Sequence, residues 1–262
     1  MQEKPLLSII TVNLNNLEGL KKTMASVFNQ TWRDFEYIVI DGGSTDGSKE
    51  YIEQHADMLD YWVSEPDKGI YNAMNKGILK ASGEFLLFLN SGDHLIENTI
   101  LEQNYKYIVK YDLIYFDLKV VNNEKSFIKR YPNKLSFSYF LKDTLPHPAT
   151  FIRRSLFGNL GCYDESLRIV SDWKFFIEAI CKNNVTYNRV NNILSTFYLD
   201  GMSSSKENKE IIKTEKNNVL ISSFSTLIED FRRLNLLEKK VQAFKGSKKY
   251  KLLVKFRLIN KL

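Results

Sequence analysis

Residues 85–93 read Phe-Leu-Leu-Phe-Leu-Asn-Ser-Gly-Asp. Five apolar residues in succession give no alternation between a dry and a wet face. The run therefore reads as a central strand covered on both sides, the pattern of a parallel sheet flanked by helices. It stops abruptly in Asn90-Ser91-Gly92-Asp93, a cluster of turn formers. Two earlier runs repeat the arrangement. Residues 6–12 are rich in β-formers and lead into Asn13-Leu14-Asn15-Asn16, and residues 37–40 lead into Asp41-Gly42-Gly43-Ser44. One such cluster is an ordinary turn. Three at one sheet edge, two of them carrying an Asp, point to a ligand site, because open α/β sheets bind beyond the carboxyl ends of their strands.

Between these runs the apolar period changes from strand to helix. Leu17, Leu20, Met24, Val27 and Phe28 recur at helical spacing, and Ser44, Thr45 and Asp46 are N-cap candidates for a helix reaching about residue 56. Residues 61–64 predict a third strand. Ile70, Ala73, Met74, Gly77, Ile78 and Ala81 then form a helix stripe with Gly83 as its stop. The alternation predicts an α/β fold with a mainly parallel central sheet.

The second half is less regular. Residues 113–121 and 127–130 predict antiparallel strands, 150–152 a short strand, and 185–190 with 193–199 a closing pair. Trp173, Phe176, Ile177 and Ile180 line one side of a helix. A longer helix is predicted over 206–236, with Leu220, Phe224, Leu227, Phe231 and Leu234 three and four apart. The expected division is a catalytic domain over 1–205 and a helical, basic C-terminal extension over 206–262.

At 262 residues and 44% hydrophobic composition, the chain has the material for a sizeable core. Its two cysteines, Cys162 and Cys181, are too few for a disulfide framework and read as reduced thiols. No stretch approaches the ~18 apolar residues of a membrane span, and the apolar start is too short for a signal-peptide core. A cytoplasmic location is expected, with the inner face of the membrane as a possible docking surface. The formal net charge of +6 is unevenly spread: residues 1–205 hold 22 Lys and Arg against 25 Asp and Glu, whereas residues 239–262 hold 9 basic and no acidic side chains. That basic block fits either an anionic bilayer or a solvated tail. Nucleic acid is not expected as a partner, since the main body is net acidic and carries no recognised nucleic-acid motif. There is no G-x-G-x-x-G after the first strand and no P-loop Lys, which argues against a dinucleotide or Walker-type site.

Several ordered motifs carry a resemblance. They are Leu7-Ser8-Ile9-Ile10-Thr11-Val12-Asn13, Ser26-Val27-Phe28-Asn29-Gln30-Thr31, Glu36–Gly47, Ser64–Gly77, Phe88–Asp93 and Ser171-Asp172-Trp173. Over roughly residues 6–205 the sequence resembles the inverting family 2 glycosyltransferases of bacterial polysaccharide biosynthesis, which have the GT-A fold. The resemblance implies that Thr11, Asn13, Asn90 and Ser91 lie against a nucleotide-sugar donor, that Asp41 contacts its uridine, and that Asp67 and Lys68 line its pocket. Asp93 matches the last acid of the family's D-x-D motif and would hold Mg²⁺ or Mn²⁺. Asp172 matches the general base, which takes the proton of the attacking acceptor hydroxyl. A hexosyl or N-acetylhexosaminyl group would pass from a UDP-sugar to a glycan or lipid-linked acceptor.

The sequence also departs from the family's pattern. Gly42 stands where many members have a second acid, and Ser91 replaces the first acid of D-x-D. His147, between Pro146 and Pro148, reads as a contact to donor phosphate or acceptor, and Arg153-Arg154 as either phosphate-steering or simply exposed. Two rival classes are a sugar-phosphate nucleotidyltransferase and a binding module that keeps the fold without turnover. The first lacks its Gly-rich basic loop after the first strand, and the intact Asp172 speaks against the second.

Overall fold

Burial follows the apolar runs. In the computed structural model, which describes residues 4–108, 110–122, 125–199, 201 and 204–256, β1 (Leu7–Asn13) is buried along its whole length. α1 (Leu17–Phe28) follows, capped by the Asn16 side chain on the Gly19 N–H, with Leu20, Met24 and Val27 turned inward. Next come β2 (Phe35–Asp41), α2 (Ser48–Gln54), β3 (Tyr61–Ser64), α3 (Ile70–Lys80) and β4 (Phe85–Phe88). The chain continues through β5 (His94–Leu95), α4 (Ile100–Asn104), β6 (Leu113–Asn122) and β7 (Lys125–Lys129). Then follow α5 (Phe137–Phe140), β8 (Thr150–Arg153), α6 (Ser155–Leu160), α7 (Ser171–Cys181) and β9 (Tyr187–Tyr198). The last elements are α8 (Lys209–Gly246) and α9 (Lys248–Lys255). The chain divides into two compact units between Ile212 and Lys213.

Among the described residues nine strands form one sheet in the order β3-β2-β1-β4-β8-β6-β9-β5, with β7 paired to β6. The sheet is mixed rather than mainly parallel. β3, β2, β1 and β4 run parallel, and β8 then reverses against β4. The reason lies in the connections: helices α1, α2 and α3 provide the crossovers that parallel neighbours need. β6 ends at Asn122 and β7 begins at Lys125, too few residues for a crossover, so this pair is antiparallel as expected. The predicted closing pair is instead the single strand β9. Its register against β6 slips between Val190, opposite Phe116, and Ile193, opposite Asp117. The exposed Asn191 and Asn192 look like a turn in sequence but form a bulge.

β4 is fully buried, as its unbroken apolar run requires. α3 packs closely on β1: a Cβ at Gly77 would stand 2.5 Å from Ile10 Cγ2, so only glycine allows this approach. Two predicted helix signals resolve differently. The N-cap of α2 is Gly47; Asp46, one residue before it, accepts from the N–H of Ser48 at 3.1 Å, while the Ser44 hydroxyl is turned to Asp41. α3 stops at Lys80 with Ala81 as its cap, and Gly83 instead donates its N–H to Ser8 and Glu36. The C-terminal helix outruns its prediction, reaching Gly246 with non-helical backbone at Phe224 (φ −140°). Among the described residues no helix is long and apolar enough to cross a membrane.

Candidate active site

The parallel register sets the first half of the site. Asn13 is the direct partner of Asp41, so the ends of β1 and β2 lie side by side. Leu89 and Ser91 donate their N–H groups to Ile10 and Val12, which carries the 90–93 turn along the same edge. Asp41 is fully buried there. Its Oδ1 accepts from Asn13 Nδ2 (2.7 Å) and Ser44 Oγ (2.6 Å). Its Oδ2 accepts from Ser64 Oγ (2.6 Å) and the N–H groups of Ser44 (2.9 Å) and Gly43 (3.2 Å). Burial works against the charge, but the donated hydrogen bonds outweigh it and hold the carboxyl below its usual range. Thr11 lies deeper, fully buried, with its hydroxyl 2.9 Å from the Tyr37 hydroxyl. It sits beneath the site floor.

The 90–93 turn is fastened to α1. Thr23 Oγ1 accepts from the Gly92 N–H (3.0 Å) and donates to the Asp93 carbonyl (2.6 Å), and Asn16 Nδ2 donates to the Ser91 carbonyl (3.0 Å). Asn90 Nδ2 is 3.2 Å from His147 Nε2, and His147 Nδ1 is 3.4 Å from Asp172 Oδ2. Asp172 opens α7, and its other oxygen accepts from the Tyr71 hydroxyl of α3 at 2.8 Å. Asn90, Asp93, His147 and Asp172, spread over 83 positions of sequence, are thus brought to one place. The side chains of His147 and Asp172 keep 18% and 15% exposure, enough to meet a ligand.

Charges in this cluster support one another. Burial depresses His147, but the hydrogen bond and charge of Asp172, with the charge of Asp93, raise its pKa above the ordinary imidazole value. Burial raises Asp172, but the hydrogen bond and charge of His147, joined by Tyr71 and the Trp173 N–H, bring it below the ordinary carboxylate value. Asp172 is therefore an ionised carboxylate at neutral pH, ready to accept a proton. Burial, reinforced by Asp172, pushes Tyr71 well above its usual value, so it remains a hydroxyl donor.

Asp67 and Lys68 lie on the loop after β3. Asp67 Oδ1 accepts from the Gly69 N–H (2.8 Å), while the Lys68 side chain is exposed and its N–H donates to Asn72 Oδ1 (3.2 Å). Arg153 pairs with Glu84 and Asp112, and Arg154 donates to the Gly83 carbonyl, which accounts for both arginines structurally.

Whether these residues suit a divalent cation depends on the donors available. Asp93 is a buried carboxylate, and Asn90 Oδ1 is a buried oxygen with no hydrogen-bond partner among the described residues. Among the described residues no group of three or more His, Cys, Asp and Glu is arranged to cage a metal. One carboxylate with a spare amide oxygen suits a hard cation that takes its remaining oxygens from phosphate and water. The donor set fits on those terms.

Sequence reading missed three contributors. Tyr71 is buried on the same side of α3 as Met74 and Ile78, so in sequence it reads as an ordinary core residue. Thr23 looked like any helix residue, yet it holds the 90–93 turn. Ser64 ends β3, where nothing local reveals that it reaches Asp41.

A family model for glycosyl transferase family 2 matches residues 8–170. The PGL/p-HBAD biosynthesis glycosyltransferase of Mycobacterium bovis BCG is 33% identical over 218 residues, spanning 80% of this chain and 83% of that protein. An uncharacterized glycosyltransferase of Mycobacterium tuberculosis is 36% identical over 187 residues, spanning 68% and 70%. Among solved structures, Staphylococcus aureus TarS 1–349 in complex with UDP superposes with a TM-score of 0.61 at 18% identity, over 84% of this chain and 73% of that one. The mannosyltransferase PcManGT from Pyrobaculum calidifontis, in complex with GDP-Man and Mn²⁺, gives 0.58 at 15% identity, over 87% and 65%.

Proposed function

The chain belongs to glycosyl transferase family 2 and is a glycosyltransferase with the GT-A fold, and we propose that it inverts the sugar it transfers, using Asp172 as the base. The donor is a nucleotide sugar, with a UDP-linked hexose or N-acetylhexosamine as the first choice. The acceptor is a hydroxyl of a glycan or lipid-linked glycan in surface polysaccharide or glycolipid assembly. Catalysis belongs to residues 1–205, and the extension over 206–262 bears the basic segment. Support for the donor comes from UDP in TarS, and support for the setting from the PGL/p-HBAD relative.

The observation that carries the mechanism is the ionised, partly exposed Asp172, braced on both oxygens by Tyr71 and His147. An acceptor hydroxyl approaching Asp172 gives up its proton to the carboxylate as its oxygen attacks the anomeric carbon. The bond from that carbon to the diphosphate oxygen breaks on the opposite face, and the diphosphate leaves with the electron pair. Backside attack inverts the centre. Asp93, with Asn90 Oδ1, would hold Mg²⁺ or Mn²⁺, which supplies Lewis-acid neutralisation of the departing diphosphate. His147 fixes the direction of the Asp172 carboxylate, and the Thr23 clasp fixes the turn that carries Asp93. A panel of nucleotide sugars, assayed for donor hydrolysis with Mg²⁺ and with Mn²⁺, tests the proposal. Turnover of at least one UDP-sugar is expected, and no turnover of any nucleotide sugar would overturn it.

A further inference from the structure

The contact that the resemblance implies between Asp41 and uridine meets an obstacle in the site itself. Asp41 is fully buried, and its two oxygens already accept five hydrogen bonds from Asn13, Ser44, Ser64 and the Gly43 backbone. A carboxylate has about four lone-pair positions. Asp41 has none left for a nucleobase, and it ties the ends of β1, β2 and β3 together beneath the surface.

A second carboxylate occupies the surface above it. Asp67 Oδ2 lies only 2.5 Å from the point where a Cβ on Gly42 would stand, so it rests on the bare backbone that follows Asp41. Its Oδ1 is fixed by the Gly69 N–H, and among the described residues no hydrogen bond to Oδ2 is found. Leu14 Cδ1 lies 3.2 Å from the same Gly42 point, and Leu14 is 57% exposed. An apolar side chain, an open backbone patch and an oriented acceptor thus converge at the carboxyl ends of β1 and β2. The loop that carries Leu14 also carries Asn16, whose amide holds the Ser91 carbonyl beside Asp93. One short loop therefore spans from this patch to the turn proposed to hold the cation.

We infer that Asp67, and not Asp41, reads the nucleobase, with Leu14 packing on the face of the ring. The inference rests on the nucleotide-sugar donor proposed above. A carboxylate can only accept, so it selects a ring with an N–H on its edge. At N3 uracil presents an N–H, whereas cytosine presents a bare acceptor nitrogen that a carboxylate repels, with its N–H donor displaced to the exocyclic amine. Gly42 is the residue that makes room. It has an ordinary backbone conformation and does not appear among the glycines with positive φ. An alanine there would displace only the flexible end of Asp67.

The experiment is calorimetric titration of the full chain with UDP and with CDP in excess Mg²⁺, alongside thermal unfolding. Wild type is expected to prefer UDP. Asp67→Ala and Gly42→Ala should each weaken UDP by about tenfold or more, as expected for losing a hydrogen bond to a charged group. Their CDP affinity and melting temperature should be unchanged. Asp67→Asn, which can offer an N–H to the cytosine nitrogen, should narrow the preference further. Asp41→Asn should lower the melting temperature while its folded fraction keeps the preference for UDP. An Asp67→Ala variant that still prefers UDP overturns the inference, as does a fully folded Asp41→Asn variant that loses the preference. Wild type binding neither nucleotide would instead remove the uridine donor reading on which it rests.

Discussion

The Tyr71 hydroxyl lies 2.8 Å from Asp172 Oδ1 and 2.5 Å from the carbonyl of Ile169. A phenol carries a single proton, so these two acceptors compete for it while Asp172 is ionised. Once Asp172 has taken a proton, it can donate to the Tyr71 oxygen, and Tyr71 can donate wholly to Ile169. The hydroxyl is therefore satisfied both before and after proton transfer. It joins α3 to the loop that leads into α7, and so links the proposed base to the scaffold beneath the site.

Asp172→Asn keeps the shape of the proposed base and removes its ability to accept a proton. Transfer should fall by about 10²–10⁴-fold, with donor affinity nearly intact. Steady-state kinetics beside a donor titration would separate the two effects. Transfer within a few-fold of wild type would remove Asp172 from the role of base.

Tyr71→Phe tests the brace on that base. The Tyr71 hydrogen bond favours the ionised carboxylate, so its loss should raise the pKa of Asp172. The acid limb of kcat/KM should then move to higher pH, while the rate on the plateau falls modestly. A rate–pH profile identical to wild type would show that Tyr71 only fills space.

His147→Gln has a stability signature with a definite sign. The pKa of His147 is raised above 6.5, so the folded state holds its proton more tightly than the unfolded chain does. That contribution is fully present below 6.5 and fades as pH rises through the raised value. Asp172 shows the opposite case: its lowered pKa stabilises above 3.8 and is lost as pH falls through the folded value. Removing His147 should therefore cost more at about pH 5.5 than at about pH 9. Denaturant unfolding at both pH values measures the difference, and an equal loss at both would contradict it.

The sheet edge was legible from sequence because it rests on local signals. Each of β1, β2 and β4 is an apolar run that ends in turn formers, and Asn13, Asp41 and Asn90–Asp93 all fall at those ends. The second half of the sheet was less legible. β8 has no sequence feature that says it reverses against β4, since pairing direction is decided by connections far along the chain. The Asn191-Asn192 pair reads as a turn, and only the partner strand β6 turns it into a bulge. The same holds within the site. Motif matches bring Asp41, Asp67 and Asp172 to attention alike, but only the fold saturates Asp41 and lays Asp67 over Gly42.

Asp93→Ala addresses the cation. Ser91 provides no carboxylate in the 90–93 turn, so Asp93 is its sole acidic side chain. EDTA should abolish turnover, and Mg²⁺ or Mn²⁺ should restore it. The variant should remain nearly inert even at high Mn²⁺. If it turns over donor with the metal dependence of the parent, the turn is structural and the cation is held elsewhere.

The last prediction concerns the C-terminal unit. Residues 239–262 hold 9 basic and no acidic side chains. The described part is helical through α9, while residues 257–262 lie outside the described residues. Leu236, Leu237, Val241, Phe244, Leu252 and Phe256 are exposed along it, interleaved with Lys239, Lys240, Lys245, Lys248, Lys251 and Lys255. Each basic side chain near an anionic surface contributes ~1 kcal/mol, and exposed apolar side chains add insertion. The protein should therefore sediment with vesicles containing phosphatidylglycerol and should be released as salt rises, because the attraction is screened beyond ~8 Å at physiological ionic strength. Deleting 239–262 should abolish sedimentation and leave donor hydrolysis in solution unchanged, since no proposed catalytic residue lies beyond 205. Tyr250 is buried, so truncation can also disturb packing. Replacing the six lysines named here by glutamine keeps the apolar side chains and separates charge from fold. If that variant binds vesicles as wild type does at low salt, the basic block is a solvated tail.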